Sequence, residues 1–340
     1  MIGDDTQMAG WDKKAGIILS NNVSEDKIWS LFNYVFSNAC GKRNTYKFGL
    51  IKAISDNLFN CEWTVSGYKL SFNDLFSKFA ENYWNLVVKY GLRQMRPDGK
   101  SEYSKIEQIF LDIVQKYDVL KELTFSGLTQ NDMDWVTRET AKNCKKYVLG
   151  ALYNDFEGLF YAFDVNHQDY IILNPPVYDF MLRYKPEIEK LNYFAWAKFL
   201  ETINDESVLI KLLDKLELAT PHREDLSIYR EILRKEFEEN TCFYCGKKLT
   251  SVVHVDHFIP WSYVKDDKMW NFVLSCSSCN LKKNNRIPVE RFLIKIQNRN
   301  SRAKQIQNRI VYEDFKEYNN DRLQRLWKYA QLSGLKEFSL

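Results

Sequence analysis

Apolar residues along most of the chain recur every three or four positions, a spacing that predicts helices packed by one face. Ser24, followed by Glu25 and Asp26, can cap a helix whose stripe is Ile28, Leu31, Phe32, Val35 and Phe36. A second helix is expected over 45–59, with Phe48, Ile51, Ile54 and Leu58 on its buried side. Ser71 and Asp74 open a third, which runs through Phe76, Phe79, Tyr83, Trp84 and Val87. Helices are also expected over 103–117, 131–149, 186–203, 206–218, 223–240 and 323–332. Strand signals are short: a hairpin over 62–70 around Ser66-Gly67, and another pairing 160–163 with 170–173 around Asn166-His167. Pro175-Pro176 ends the second hairpin.

The fold class that follows is mainly α with small β-hairpins. A chain of 340 residues can hold two cores. The expected boundary is near Ala219-Thr220-Pro221, giving an α-rich domain over 1–220 and a second domain over 221–340. It moves to Asn240 if the 223–240 helix packs with the first half. With 45% hydrophobic and 27% charged residues, the composition is that of a soluble globular protein. The first residues show no signal-peptide pattern and no apolar run reaches membrane-spanning length, so no membrane partner is expected. The first 220 residues carry no motif that indicates a chemistry. His167, in a turn, and His222, after Pro221, read as surface residues without ligand partners.

Chemistry enters after Asn240. Cys242 and Cys245 form one Cys-x-x-Cys pair, and Cys276 and Cys279 another. Each pair can turn two sulfurs onto one ion, and four thiolates suit a tetrahedral Zn²⁺ with no vacant position. Such a site folds a module and does no catalysis. Cys40, Cys61 and Cys144 are scattered and read as core thiols. Thiols and thiolate ligands together fit a reducing cytoplasm.

Between the cysteine pairs, residues 251–258 are rich in β-branched residues and read as a strand. His254 and Asp256 share one face of it, and Val253 and Val255 face the core. His257 would join the valines by strict alternation, so it is expected to leave the strand at its end, before Pro260. Asn271 precedes a second apolar run, 272–274, and Asn280 lies in a short helix expected over 278–285. The result is strand, loop, strand, helix, tied at both ends by one zinc.

Over 241–288 this segment resembles the HNH endonucleases, the ββα-metal nucleases, in the form framed by two Cys-x-x-Cys pairs. It is also similar, at Asp256-His257, Asn271 and Asn280, to the HNH domain of CRISPR-guided nucleases. The resemblance implies that Asp256 and Asn280 hold a catalytic Mg²⁺ or another divalent cation, and that His257 is the general base. It implies an orienting role for Asn271. The chemistry is consistent with this: carboxylate and amide oxygens are hard ligands, and imidazoles take protons near neutrality. His254 has three open readings: a metal neighbour, a phosphate contact or a structural hydrogen-bonder.

From 282 to 309 the chain has nine bases (Lys282, Lys283, Arg286, Arg291, Lys295, Arg299, Arg302, Lys304 and Arg309) and one acid, Glu290. The whole chain is only +3, so its remaining residues are net acidic and the positive field is concentrated here. A phosphate backbone is the expected partner of such a segment, although Val289, Phe292, Leu293 and Ile296 must bury one side of it. The expected function is a metal-dependent DNA endonuclease, by resemblance one of bacterial restriction or phage defence, with a regulatory or ATPase protein as a further partner. The alternatives are a zinc-knuckle DNA-binding or scaffold protein without catalysis, and an RNA-cleaving HNH nuclease.

Overall fold

The computed structural model describes residues 13–97, 101–117, 123–218, 225–250 and 252–340. These divide into two compact units: residues up to Met181 with those from Glu187 to 218, and Leu182–Pro186 with those from 225 onward. The boundary expected at 219–221 lies outside the described residues, as does His222.

As far as residue 218 the chain forms β1 (Ala15–Gly16), α1 (Glu25–Phe36), α2 (Tyr46–Asp56), β2 (Glu62–Thr64), β3 (Gly67–Ser71) and α3 (Phe72–Trp84). Then come α4 (Lys105–Tyr117), α5 (Gln130–Asp155), β4 (Tyr161–Asp164), β5 (Tyr170–Leu173), α6 (Pro175–Arg183), α7 (Lys185–Glu201), α8 (Glu206–Leu209) and α9 (Leu212–Leu218). The expected caps are in place: the Ser24 side chain accepts from the Lys27 N–H, and Ser71 from the Asp74 N–H. The helix expected over 206–218 is split where Lys211 takes a left-handed φ of 55°. The two hairpins do not stay separate. Pairing of β3 with β5, from Tyr68 opposite Leu173 to Ser71 opposite Tyr170, joins them into one five-stranded antiparallel sheet of order β1-β4-β5-β3-β2.

The first unit has an aromatic core. Phe32, Phe48, Phe76, Phe79, Tyr83, Trp84 and Trp196 are all buried, with the Tyr83 ring 4.8 Å from Phe79 and 5.1 Å from Trp196. Large rings gain most from removal from water, which is why α2 and α3 pack by these faces, with α5 against both helices. Cys40, Cys61 and Cys144 are buried, as expected of core thiols, and burial pushes Cys144 up to about 12.

After residue 225 come α10 (Ser227–Lys235), β6 (His254–His257), α11 (Trp261–Val264), β7 (Phe272–Ser275), α12 (Ser277–Lys283), β8 (Ile287–Pro288), α13 (Glu290–Asn300), α14 (Arg309–Phe315), α15 (Asn320–Leu332) and β9 (Glu337–Phe338). Strands β6 and β7 pair antiparallel, with His254 opposite Ser275 and His257 opposite Phe272. His257 therefore stays in the strand, contrary to expectation. The ladder runs past it, because the Phe258 N–H donates to the Asn271 carbonyl at 2.7 Å. Strands β8 and β9 pair in parallel, which returns the last described residues to the strand that follows α12. The protein is mainly helical with small sheets, and no described helix is long and apolar enough to cross a membrane.

Candidate functional site

The four cysteines converge. Their sulfurs all lie within 4.8 Å of one another, and Cys245 and Cys276 are 3.9 Å apart. A tetrahedral zinc with sulfur bonds of about 2.3 Å requires sulfur separations of about 3.8 Å, so the group fits that ion. Local backbone sets the geometry. The Cys242 N–H donates to the Lys247 carbonyl, and the Gly246 N–H to the Cys242 carbonyl, closing a tight turn. Gly246 holds a φ of +71° there, a conformation that costs glycine nothing. Cys276 stands at the N-terminus of α12, where the backbone N–H of Cys279 helps draw its thiol down to about 7. Burial drives Cys242 and Cys279 upward. Buried thiols that resist ionisation beside one that ionises readily are the donor set a thiophilic cation would complete.

A second cluster lies on the adjoining strand pair. The His257 imidazole is 5% exposed, its Nε2 is 2.7 Å from Asp267 Oδ1, and its ring packs against Phe272. Asp256 is also buried, although the alternation placed it away from the valine face. The reason is that both faces of β6 are covered. Tyr244, inside the first cysteine turn, donates its hydroxyl to Asp256 Oδ2 at 2.5 Å. Lys283, from α12, places Nζ 3.2 Å from Asp256 Oδ1 and 2.7 Å from the His257 carbonyl. Burial, and then the neighbouring carboxylate, hold the Tyr244 phenol well above its ordinary range, so it remains a donor.

Asn271 clamps the loop between the strands. Its Oδ1 accepts from the Ile259 N–H at 2.8 Å and its Nδ2 donates to the Ile259 carbonyl at 3.0 Å. His254 Nε2 is 3.1 Å from Ser277 Oγ. Asn280 sits on α12, three residues after Ser277 and three before Lys283, both of which reach β6. Residues at that spacing share a helix face, so Asn280 faces the strand that carries Asp256.

The basic segment does not present one face. Lys282, Arg286, Arg302 and Arg309 are exposed. Lys283 and Arg299 are buried, which removes two residues expected at a nucleic-acid surface. Lys283 is turned inward by Asp256. Arg299 is turned inward by Glu239 at 3.2 Å and by the Phe272 carbonyl at 2.7 Å, so it braces the edge of β7. Arg291 donates to the Leu340 carbonyl, and Lys295 reaches the Phe243 carbonyl.

Three contributors were not legible in the sequence. Tyr244 is hidden as a spacer within a cysteine pair, and Lys283 reads as one base among nine. Asp267 lies ten positions after its partner, beyond the short helix α11, so the strand periodicity does not carry over to it. The nearest signal was the adjacent pair Asp266-Asp267 between the two strands.

Comparison with known families matches residues 242–289 to the HNH endonuclease family. The matched residues run from the first cysteine to just past β8, and so contain the tetrad, both strands and α12. No curated protein and no solved structure matches the chain.

Proposed function

We propose that the 242–289 module is the catalytic part of a metal-dependent endonuclease that hydrolyses DNA phosphodiester bonds. The observation that carries this reading is the His257 imidazole, held through Nε2 by the Asp267 carboxylate inside the HNH-matching segment. With Nε2 donating to Asp267, the Nδ1 lone pair is left to take a proton from an attacking water. Asp267 is then a positioning residue that fixes the tautomer of the base.

Asp256 and Asn280 supply hard oxygens. Asp256 Oδ2 accepts from Tyr244 and Oδ1 from Lys283, and each oxygen keeps a lone pair, so Asp256 and Asn280 fit a divalent cation such as Mg²⁺. Bound there, the ion supplies positive charge at the scissile phosphate. Tyr244 and Lys283 orient the Asp256 carboxylate, Asn271 holds the loop against His257, and the Ser277 bond gives His254 a structural role. The zinc of the tetrad is structural and keeps the two ends of the module together. Exposed Lys282, Arg286 and Arg302 contact the DNA backbone, and Arg291 and Lys295 contribute from the outer side of α13. The resemblance to restriction and phage-defence nucleases supports a role in bacterial defence with a regulatory or ATPase partner, and a neighbouring ATPase or methyltransferase gene would agree with it.

One observation favours a second reading. Lys283 already places a cation on Asp256, as a zinc-knuckle DNA-binding protein without catalysis would. Nicking of supercoiled plasmid with Mg²⁺, with EDTA as the control, separates the two, and an RNA strand assayed in parallel tests the substrate. His257→Ala should lower cleavage by roughly 10²–10⁴-fold while zinc content and DNA affinity stay intact. Cleavage at the wild-type rate by that variant would return the module to the non-catalytic reading.

A further inference from the structure

The first unit contains a cavity of about 700 Å³, within the size range of small-molecule sites. Residues 41–47, 95–96, the start of α4 and the last turns of α5 wall it. Five cations line it (Lys42, Arg43, Lys47, Arg96 and Lys105) against one carboxylate, Asp155. That carboxylate is already matched, since Asp155 Oδ2 lies 2.7 Å from Lys47 Nζ.

Three of the other cations are fixed by neutral acceptors. Lys42 Nζ donates to the Ser37 and Cys40 carbonyls at 2.7 and 3.0 Å. Arg96 donates to the Thr202 hydroxyl at 3.0 Å, and Lys105 to the Gln108 amide oxygen at 3.0 Å. Among the described residues, none of these three ion-pairs with a carboxylate. Lys42 and Arg96 also line a neighbouring cavity of about 520 Å³, to which their acceptors Ser37, Cys40 and Thr202 belong, so their field is shared between the two concavities, whose protein walls focus it. Burial draws the Lys42 ammonium below its ordinary range, a cost that an anion beside it would offset.

The α5 wall has a different character. Tyr147, Val148 and Ala151 offer a ring and apolar surface, with Lys146 Nζ 5.0 Å from the centre of the Tyr147 ring and Asp155 at the far end of the helix. A cavity with anchored cations on one side and an aromatic-apolar wall on another suits a ligand that is anionic at one end and flat and apolar at the other. Its volume is far more than an inorganic phosphate needs.

We propose that this cavity binds a nucleotide, with its phosphates at Lys42, Arg96 and Lys105 and its base against the Tyr147 wall. The site would give the first unit a ligand of its own, independent of the chemistry of the 242–289 module.

Calorimetric titration of the full-length protein without added magnesium tests this, with ATP, GTP, adenosine and pyrophosphate as separate probes. ATP or GTP should bind, with adenosine and pyrophosphate each at least about tenfold weaker, because each supplies half of the ligand. The double variant Arg96→Gln with Lys105→Gln alters two exposed side chains and should keep the wild-type melting temperature. It should weaken nucleotide binding at least about tenfold through the loss of charge-assisted bonds. Tyr147→Ala should weaken ATP but not pyrophosphate. The proposal is overturned if neither nucleotide binds at millimolar concentration, if the double variant binds as well as wild type, or if pyrophosphate matches ATP. A single-stranded oligonucleotide that binds more tightly than ATP through the same two residues would make the cavity a strand-binding groove and overturn it equally.

Discussion

Both units have a core of buried rings and a buried lysine–aspartate pair, Lys52 with Asp56 in one and Lys283 with Asp256 in the other, and they differ in what the thiols add. The first is a core of buried rings, Phe32, Phe76, Tyr83, Trp84 and Trp196 among them, and its buried thiols make no cluster. The second has buried rings of its own, Phe243, Tyr244, Phe258 and Phe292 among them, and adds polar contacts at single atoms: four converging sulfurs, Asn271 on Ile259, Lys283 on Asp256 and Arg299 on Glu239. Burial energy is spread over many contacts and survives small errors of position. A polar clamp or a metal site concentrates its contribution, and its loss leaves an unpaired group behind. The proposed site would need His257 and Asp256 placed to within about 0.5 Å, and it would gain from the second kind of support.

The largest effect expected from this contrast concerns the tetrad. Structural zinc contributes on the order of 10 kcal/mol to small modules, so Cys245→Ser should unfold the second unit. Limited proteolysis should then cut after residue 225 and leave the first unit intact. Elemental analysis should find one zinc per chain in wild type, and finding none would remove the basis of the contrast.

Next is Phe32→Ala. It removes a fully buried ring that contacts Phe36, Phe156, Phe160 and Phe180 and should cost about 3–5 kcal/mol. Only the melting transition of the first unit should shift, with zinc content unchanged. Arg299→Ala is its counterpart. By leaving the half-buried Glu239 carboxylate without its cation, it should destabilise the second unit by about 3 kcal/mol. If denaturation shows the two substitutions to be interchangeable in which unit they weaken, the comparison fails.

The smallest effect is a gain. Burial pushes the Asp314 carboxyl up to about 6, while its Oδ2 accepts from the Met269 N–H at 2.7 Å. Its folded value thus exceeds the unfolded one. This term favours folding at low pH and is lost as pH rises through about 6, at which point an ionised carboxylate is held in a poorly solvated place. Asp314→Asn should therefore stabilise the second unit at neutral pH by on the order of 2–3 kcal/mol. That advantage should vanish below about pH 4, as paired thermal melts from acid to neutral pH would reveal.

What could be read from the sequence follows the same division. The helices of the first unit were evident because burial writes itself as periodicity: Ser24 and Ser71 cap where the stripes begin. The joining of two hairpins through β3 and β5 was not, since strand pairing across about a hundred residues leaves no local trace. In the second unit the tetrad was legible because an ion dictates spacing. Asp256, His257, Asn271 and Asn280 were legible through a motif. Asp267 and Tyr244 were not, because loop conformation brings them in. Arg299 was misplaced for a related reason: composition counts a charge without showing which way it points, and the Phe272 carbonyl and Glu239 decide that.

The spacing of the cysteines also matters on the ribosome. Thirty residues separate Cys245 from Cys276, so at about 5–20 residues per second the first pair emerges about 2–6 seconds before the second. During that interval two thiols are exposed with half a site and no strand to shelter them. Oxidation at that stage would join neighbours in the wrong way before any zinc could arrive. The yield of correctly folded protein during fast synthesis should then depend on the supply of zinc and reductant in those seconds more than on the stability of the finished fold.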